Sequence, residues 1–315
     1  MKKMVYKIPV FVFAWLIVLS FEAEAQQLPQ YSQYLINDYV LNPAIAGNKS
    51  YFETKSNHRF QWVGITDAPR TFILSMHGPL KTENMGVGGY LFTDVTGPTS
   101  RFGVYGSYAY HIQLNETMKL SMGLFGGIMQ YNIDGSKITL VDKTDPLGST
   151  GIESILIPDA GFGLYWYTED YYLGASIPQL LQNKLKLSDT TNLTGKLNSH
   201  YYVMGGYIFK AGSDFEIEPS FLMKMVIPVP VQFDISGKVI YQKMVWVGAS
   251  YRTFDSMSAL VGYSFEEKIF FGYSYDFTLS DLKNYNSGTH EVMLGVRFAS
   301  SKKKQIEKTD EALFE

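Results

Sequence analysis

Residues 245–252 read VWVGASYR and residues 258–265 read SALVGYSF. In both stretches the side-chain character alternates from one position to the next. Val247 and Tyr251 fall on one face of such a chain, whereas Arg252 falls on the other. A period of two residues indicates a β-strand, because successive side chains point to opposite faces of a sheet. One apolar face opposite a face of small, polar or charged residues is typical of a strand in a transmembrane barrel.

The same alternation recurs along most of the chain after residue 50 and predicts fourteen antiparallel strands. Short predicted connections alternate with mostly longer ones, of which 133–157 and 178–197 are expected outside the cell. Outer-membrane barrels have an even strand number and short periplasmic turns, whereas a soluble sandwich has no reason to sort loop length by parity. A large soluble sandwich or propeller remains the alternative. The predicted strands are 51–60, 70–79, 84–94, 100–112, 117–132, 158–168, 171–177, 198–211, 214–226, 230–241, 244–252, 257–267, 269–276 and 289–299.

The composition agrees with a membrane setting. Only 18% of the 315 residues are charged, while 46% are hydrophobic and 15% are aromatic; a soluble domain has about 25% charged residues. The formal net charge of −3 argues against a cationic surface for nucleic acid. The absence of Cys excludes disulfides and thiolate metal sites. No uninterrupted apolar stretch after Phe21 is long enough for a membrane helix, so only a closed sheet is left to span a bilayer.

Residues 1–25 have the pattern of a secretory signal peptide. Three lysines within the first seven residues precede an apolar run at 8–21, and Ala23-Glu24-Ala25 supplies the small residues that signal peptidase accepts. A membrane anchor is the alternative, but the run contains Pro9 and is shorter than the roughly 20 residues that span hydrocarbon. We expect cleavage after Ala25 and insertion of the mature chain into the outer membrane.

Two segments fall outside the predicted barrel, which occupies residues 51–299. Residues 26–50 lack sustained alternation, so we expect a cap at the periplasmic mouth or a plug inside the lumen, with a flexible leader as the alternative. Residues 300–315 form a charged tail, expected in the periplasm. Candidate plug or partner contacts in the first segment are Tyr31, Gln33, Tyr34, Asn42, Pro43 and Gly47.

Charges of both signs fall on the face of the strands that is expected to point inward. Ion pairing across a filled lumen is the favoured interpretation, because buried charges are costly unless they are paired. A selective channel would concentrate one sign at a constriction. The candidate lumen charges are Asp234, Lys238, Arg252, Asp276, Glu291 and Arg297, with Glu216, Glu218 and Lys224 on the same face.

No motif in the sequence predicts catalysis, a cofactor or a metal. The five histidines are scattered, without an H-E-x-x-H pattern, and there is no G-x-S-x-G elbow. A barrel hydrolase would need a Ser and a His within hydrogen-bond reach on neighbouring strands, and nothing in the sequence singles out such a pair. We therefore expect a protein that is not an enzyme.

Nine short strings along the chain resemble, in order and spacing, the PorP/SprF family of type IX secretion system outer-membrane proteins from Gram-negative gliding bacteria. Residue 31 is Tyr where the family pattern has Phe, which is a conservative departure. The strings are QYSQY at 30–34, NPAIAG at 42–47, RFQW at 59–62, APRT at 68–71, GASIP at 174–178, QFD at 232–234, YR at 251–252, GYSYD at 272–276 and SGTHE at 287–291.

The resemblance implies a non-enzymatic barrel that serves the export or surface attachment of large proteins, including gliding adhesins. PorP-like members associate with periplasmic ring proteins and a peptidoglycan-binding lipoprotein, whereas SprF-like members each serve one secreted adhesin. The sequence does not separate these roles. Beyond such partners, only outer-membrane lipids are expected. The barrel pattern taken alone leaves a passive porin or a small hydrophobic-solute transporter as the alternative.

Overall fold

Alternating side chains build strands along most of the chain that the computed structural model describes, namely residues 30–81, 84–138, 151–186 and 194–299. The predicted signal peptide and the charged tail lie outside these residues. The strands are β1 (Tyr51–Phe60), β2 (Arg70–Pro79), β3 (Met85–Thr96), β4 (Thr99–Gln113), β5 (Lys119–Asp134), β6 (Ile152–Tyr167), β7 (Tyr171–Ile177), β8 (Lys184–Lys186), β9 (Thr194–Lys196), β10 (His200–Tyr207), β11 (Phe209–Ala211), β12 (Phe215–Val226), β13 (Val229–Tyr241), β14 (Val245–Arg252), β15 (Ser256–Phe265), β16 (Ile269–Thr278) and β17 (Thr289–Ala299).

Within the described residues, fourteen strands close into an antiparallel barrel. Each strand of the barrel pairs with its chain neighbours, and the seam closes where β1 pairs with β17, with Tyr51 opposite Ala299. The short strand β11 continues β10 along β12, and β8 and β9 form a separate two-stranded sheet. The predicted fourteen-stranded all-β barrel is thereby confirmed.

The two ends of the barrel differ in their connections. At the end that holds Tyr51 and Ala299, every connection in the described residues is a tight turn. At the other end, the connections 61–69, 135–151, 178–199 and 279–288 are long. Short turns face the periplasm in outer-membrane barrels, so we assign the end with Tyr51 and Ala299 as periplasmic. The tight turns lie at 114–118, 168–170, 212–214, 242–244 and 266–268, and between β2 and β3 the Leu80 backbone N–H donates to the Met85 carbonyl over 2.8 Å.

The barrel wall is apolar outside and polar inside. Exposed side chains on its outer face include Leu124, Ile235 and Val247, whereas Arg59 and Glu291 are buried on its inner face. An apolar outer face matches a lipid environment, and closure of the sheet leaves no unpaired edge in hydrocarbon. The part of the chain that the structure describes contains no helix with the length and apolar character needed to cross a membrane.

The strand boundaries differ most from the predictions in two places. Strand β6 begins at Ile152 instead of residue 158, because the period of two continues through Ile152–Ile157 opposite β5. Pro158 is tolerated there because β7 ends opposite Phe162, which leaves this part of β6 with a strand neighbour on one side only. The predicted strand 198–211 is interrupted at Ile208, whose backbone N–H donates to the Asp170 carbonyl.

Candidate functional site

The N-terminal segment, which we define as residues 30–50, contains two short 3-10 turns, Asp38–Val40 and Pro43–Ile45. Asn42 caps the second turn, because its Oδ1 accepts a 3.0 Å hydrogen bond from the backbone N–H of Ala44. Pro43 occupies the first position of this turn, where its fixed φ suits the helical conformation and its missing N–H costs nothing. Local chemistry thus folds NPAI as a compact turn.

Hydrogen bonds join this turn to the inner wall of the barrel. Asn42 Nδ2 donates to the Leu164 carbonyl over 2.9 Å, and Ser176 Oγ donates to the Leu41 carbonyl over 2.6 Å. On the other side, His111 Nε2 lies 2.9 Å from the Ala46 carbonyl. These contacts reach β4, β6 and β7, so the segment lies against the wall on its lumen side.

Glycines in the wall let the segment approach closely. A Cβ at Gly123 would collide with the backbone of Ala44, and a Cβ at Gly86 would collide with the carbonyl group of Ala46. Gly47 itself has a φ of +75°, a conformation that other residues rarely adopt. The path of the segment therefore depends on glycine both in the wall and in the segment.

Apolar side chains fill the space between the segment and the wall. Tyr34, Tyr39 and Ile45 are at most 4% exposed, and they belong to one cluster with Met204 and Leu222 of the wall. Tyr34 also bonds through its hydroxyl to Ser236 Oγ over 2.8 Å. The segment is thus held by apolar packing as well as by hydrogen bonds.

A buried charge cluster holds the start of the segment in the outer half of the lumen. Arg59 pairs through Nη1 with Glu291 at 2.7 Å and through Nη2 with Asp276 at 2.8 Å. Ser32 Oγ accepts from Arg59 Nη1 over 3.0 Å and donates to Asp276 over 2.6 Å. All four side chains are nearly inaccessible to solvent. Every charge in the cluster therefore has a partner, as burial requires.

Glu291 binds both the backbone of the segment and the wall. Its Oε1 accepts from the Gln33 backbone N–H over 3.1 Å and from Asn57 Nδ2 over 2.9 Å. The Gln33 side chain returns a bond to the Glu291 carbonyl over 2.9 Å. The carboxylate of Glu291 therefore accepts hydrogen bonds from the segment and from β1 in addition to its ion pair with Arg59.

A second group of charges extends this cluster around the wall. Arg252 pairs with Asp234 at 3.0 Å and with Asp255 at 3.1 Å, and its Nη2 donates to the Tyr31 carbonyl over 3.0 Å. Lys224 pairs with Asp234 at 2.9 Å. Arg252 of β14 thus binds the segment directly, and Asp234 of β13 links it to Lys224 of β12.

A further group of lumen charges lies nearer the periplasmic end. Glu53 pairs with Lys55 at 2.6 Å and with Arg297 at 2.9 Å, and Lys238 pairs with Glu218 at 2.8 Å. All five project from the inner face, and Arg297 is the most exposed of them. The inner wall therefore alternates acid and base instead of presenting a ring of one sign.

The structure brings some of the predicted site residues together and separates others. Asp234, Arg252, Asp276 and Glu291 meet around Ser32, whereas Lys238 and Arg297 lie apart, toward the periplasm. Of the predicted segment contacts, Gln33, Tyr34, Asn42, Pro43 and Gly47 are buried, and Tyr31 is partly buried.

Four inner-wall residues of β1 escaped the sequence interpretation. These residues, all buried on the inner face, are Glu53, Lys55, Asn57 and Arg59. Asn57 and Arg59 belong to the cluster around Glu291, and Glu53 and Lys55 belong to the group nearer the periplasmic end. The sequence hid this face, because the outward positions Thr54, Ser56 and His58 are polar as well and leave no alternation of polar and apolar residues. Within the described residues, no group of three or more acidic and histidine side chains is arranged to hold a metal.

A closed sheet with a lipid-compatible outer face and a paired, charged interior defines the class of the protein as a membrane-spanning β-barrel. The family model described as "Type IX secretion system membrane protein PorP/SprF" matches residues 23–296. The chain therefore belongs to the PorP/SprF family, as the sequence strings indicated. The barrel fold and the family together point to the outer membrane.

Solved structures that resemble the chain share little sequence with it. The CymD monoaromatic hydrocarbon channel is 11% identical with a TM-score of 0.49, and the match covers 83% of this chain and 91% of that chain. The P. putida toluene transporter TodX is 10% identical with a TM-score of 0.49, covering 82% and 93%. Omp33 of Acinetobacter baumannii is 10% identical with a TM-score of 0.44, covering 81% and 100%. A search of curated proteins finds no match to the chain.

Proposed function

We propose that the protein is a plugged, non-enzymatic barrel of the type IX secretion system that supports secretion or surface attachment of large proteins, such as gliding adhesins, through protein contacts. The observation that carries this proposal is the burial of residues 30–47 against the inner wall, with the start of the segment bound to the Arg59 cluster. A passive porin needs an open lumen, and the packing of the segment against the inner wall argues against one.

The contacts of the segment favour a role as plug over direct partner binding. Tyr34, Asn42 and Pro43 are buried against the wall, so they offer little surface to another protein. Small cavities of about 10 and 40 Å³ remain beside Tyr31. Cargo of adhesin size does not pass such spaces. The barrel then acts as a membrane platform, and its partners bind at its two ends.

The outer rim offers a surface for such a partner. Ile227, Phe254 and Tyr285 are 68%, 87% and 74% exposed at the tips of three outer connections. Backbone hydrogen bonds hold two of these connections: Leu279 donates to Asp255 over 2.8 Å, and Ser287 donates to Val63 over 2.7 Å. Exposed aromatic groups on a fixed backbone are typical anchors of protein interfaces. We assign this rim to the secreted adhesin, and the periplasmic end to ring proteins and the peptidoglycan-binding lipoprotein.

Deletion of residues 30–47 tests the proposal in the native bacterium. We expect a heat-modifiable barrel in the outer membrane, because the strands begin at Tyr51, together with loss of cargo secretion. Normal export by the deletion strain would contradict the functional role of the segment. Loss of the barrel would make the segment purely structural and would also contradict it. The variant Gly123→Val disturbs only the place where Ala44 packs against β5, and it gives a second and milder test.

A further inference from the structure

A cavity of about 220 Å³ lies between the N-terminal segment and the inner wall at the periplasmic end. Its lining includes Tyr51 and Arg297, next to the seam at the start of β1 and the end of β17, and Thr168 in a periplasmic turn. The cavity is therefore accessible to groups that arrive from the periplasm. An inference about what binds in this cavity does not rest on the proposed function in secretion.

Most charges around this cavity already have partners. Glu53 is satisfied by Lys55 and Arg297, and Glu218 is satisfied by Lys238. Lys49 also lines the cavity, but its side chain is exposed, so its ammonium group stays hydrated. These groups supply neither a free acceptor nor a free donor deep in the cavity.

Asp38 is the exception among the acidic groups of this cavity that are at least partly buried. Its carboxylate lines the cavity, and within the described residues no hydrogen bond or ion pair of this carboxylate is found. Burial raises the pKa of the Asp38 carboxyl, and the nearby charge of Lys55 only partly offsets that effect. A partly buried carboxylate without a partner is a site that a cation would stabilise.

His77 supplies a second unsatisfied group in the same cavity. Its side chain is 3% exposed, and neither ring nitrogen has a hydrogen-bond partner. The ring lies 4.6 Å from the ring of Tyr39, centroid to centroid, which fixes its position. A neutral imidazole has one acceptor nitrogen, so His77 offers a lone pair to a donor that enters the cavity.

Tyrosine rings form the rest of the wall. Tyr51, Tyr165 and Tyr172 also line the cavity. Aromatic faces attract cations and also pack against aliphatic chains. We propose that this cavity binds a primary ammonium group on an aliphatic stem, as in a lysine side chain, with Asp38 and His77 accepting from the ammonium and the tyrosines enclosing the stem.

Two sources supply this chemistry at the periplasmic end. One is the lysine run of the chain itself, Lys302 to Lys304, which follows β17 by only a few residues in the sequence. A fully extended chain spans at most about 3.3–3.6 Å per residue. The other is a lysine of a second periplasmic polypeptide. Both present the same group to Asp38, and one experiment separates them.

The probe is N-α-acetyl-L-lysine amide, titrated calorimetrically into the full-length protein in detergent micelles. N-α-acetyl-L-norleucine amide is the control ligand, because it has the same stem without the charge. We expect heat of binding for the lysine probe only, a loss of affinity of at least tenfold in Asp38→Asn, and a smaller loss in His77→Phe. The control variant Asp281→Asn, in an outer connection, leaves the affinity unchanged. Equal binding of the two probes, or an unchanged affinity in Asp38→Asn, would overturn the proposal.

The variant Lys302→Gln/Lys303→Gln/Lys304→Gln, kept at full length, identifies the source. If the tail fills the site, the probe binds this variant more tightly than it binds the wild type, and the gain disappears when Asp38→Asn is added. Equal affinity in wild type and variant, still dependent on Asp38, assigns the site to another polypeptide. Binding that is independent of Asp38 in both backgrounds refutes the site.

Discussion

The backbone amide of Ser32 donates a 2.9 Å hydrogen bond to the carboxylate of Glu291, although 259 positions separate the two residues in the chain. Glu291 lies on β17 directly opposite Arg59 of β1, so it belongs to the seam that closes the barrel. The same carboxylate therefore binds the N-terminal segment and joins the first and last strands. One side chain therefore contacts both the N-terminal segment and the seam of the barrel.

Replacement of Arg59 by Met should strongly destabilise the barrel. It leaves the carboxylates of Asp276 and Glu291 buried without their principal cation, and breaking one side of a buried pair costs about 3–5 kcal/mol. Urea unfolding in micelles, followed by heat-modifiable mobility, measures this loss. The matched control is Lys268→Met, which breaks the exposed pair with Glu266 and should cost at most about 1 kcal/mol. Equal losses in the two variants would refute the central position of Arg59.

Gly123→Val should displace the N-terminal segment without opening the barrel. The added side chain collides with the backbone of Ala44, while valine suits the strand itself. We expect faster amide hydrogen exchange in residues 30–47, measured by mass spectrometry. Gly106→Val is the control, because a Cβ at this position on the neighbouring strand meets nothing within 4 Å. Unchanged exchange in Gly123→Val would show that the segment is not seated on this glycine.

The orientation of the barrel can be tested with single cysteines, since the chain has none. Phe254→Cys lies in an outer connection, and Ser213→Cys lies in a periplasmic turn. A membrane-impermeant maleimide should label the first on intact cells and the second only after permeabilisation. The opposite pattern would invert the topology and would move the proposed adhesin surface to the periplasm.

The exposed rim should contribute to partner binding. Phe254→Ser and Tyr285→Ser each remove an exposed aromatic group, and loss of an interface anchor costs about 2 kcal/mol or more, which corresponds to roughly thirtyfold in affinity. Surface display of the cognate adhesin, quantified by antibody on intact cells, should fall accordingly. Leu114→Ser, at a comparably placed periplasmic turn, should leave display unchanged. If both rim variants display adhesin normally while barrel abundance drops, the aromatic groups serve the lipid interface instead.

The barrel was predictable because its rule is local: the period of two is carried by the strands themselves, as in 245–252. The sequence could not predict which charges pair with each other, because the pairs depend on the stagger between strands that are distant in sequence. Asp234 and Arg252 lie opposite each other on adjacent strands, yet Arg59 reaches Glu291 only across the seam. The path of residues 30–50 was also beyond prediction, since its turns are fixed by contacts such as Asn42 with Leu164.

The inner face of β1 was not predictable in the way that the later strands were. Every residue from Glu53 to Arg59 is polar, so the alternation of apolar and polar residues that identifies the later strands is absent there. The lack of a hydrogen bond at the ring nitrogens of His77 likewise has no sequence signal, because it results from the shape of the cavity.

Planar-bilayer conductance tests most directly the claim that residues 30–47 plug the lumen. The purified full-length protein should show no steady open channel at either polarity, because the segment is bound to the wall by the Arg59 cluster and by the contacts of Asn42. The variant that lacks residues 30–47 should form steady, open channels with the heat-modifiable mobility of a folded barrel. Steady conductance by the full-length protein, or silence of the folded deletion variant, would contradict the account.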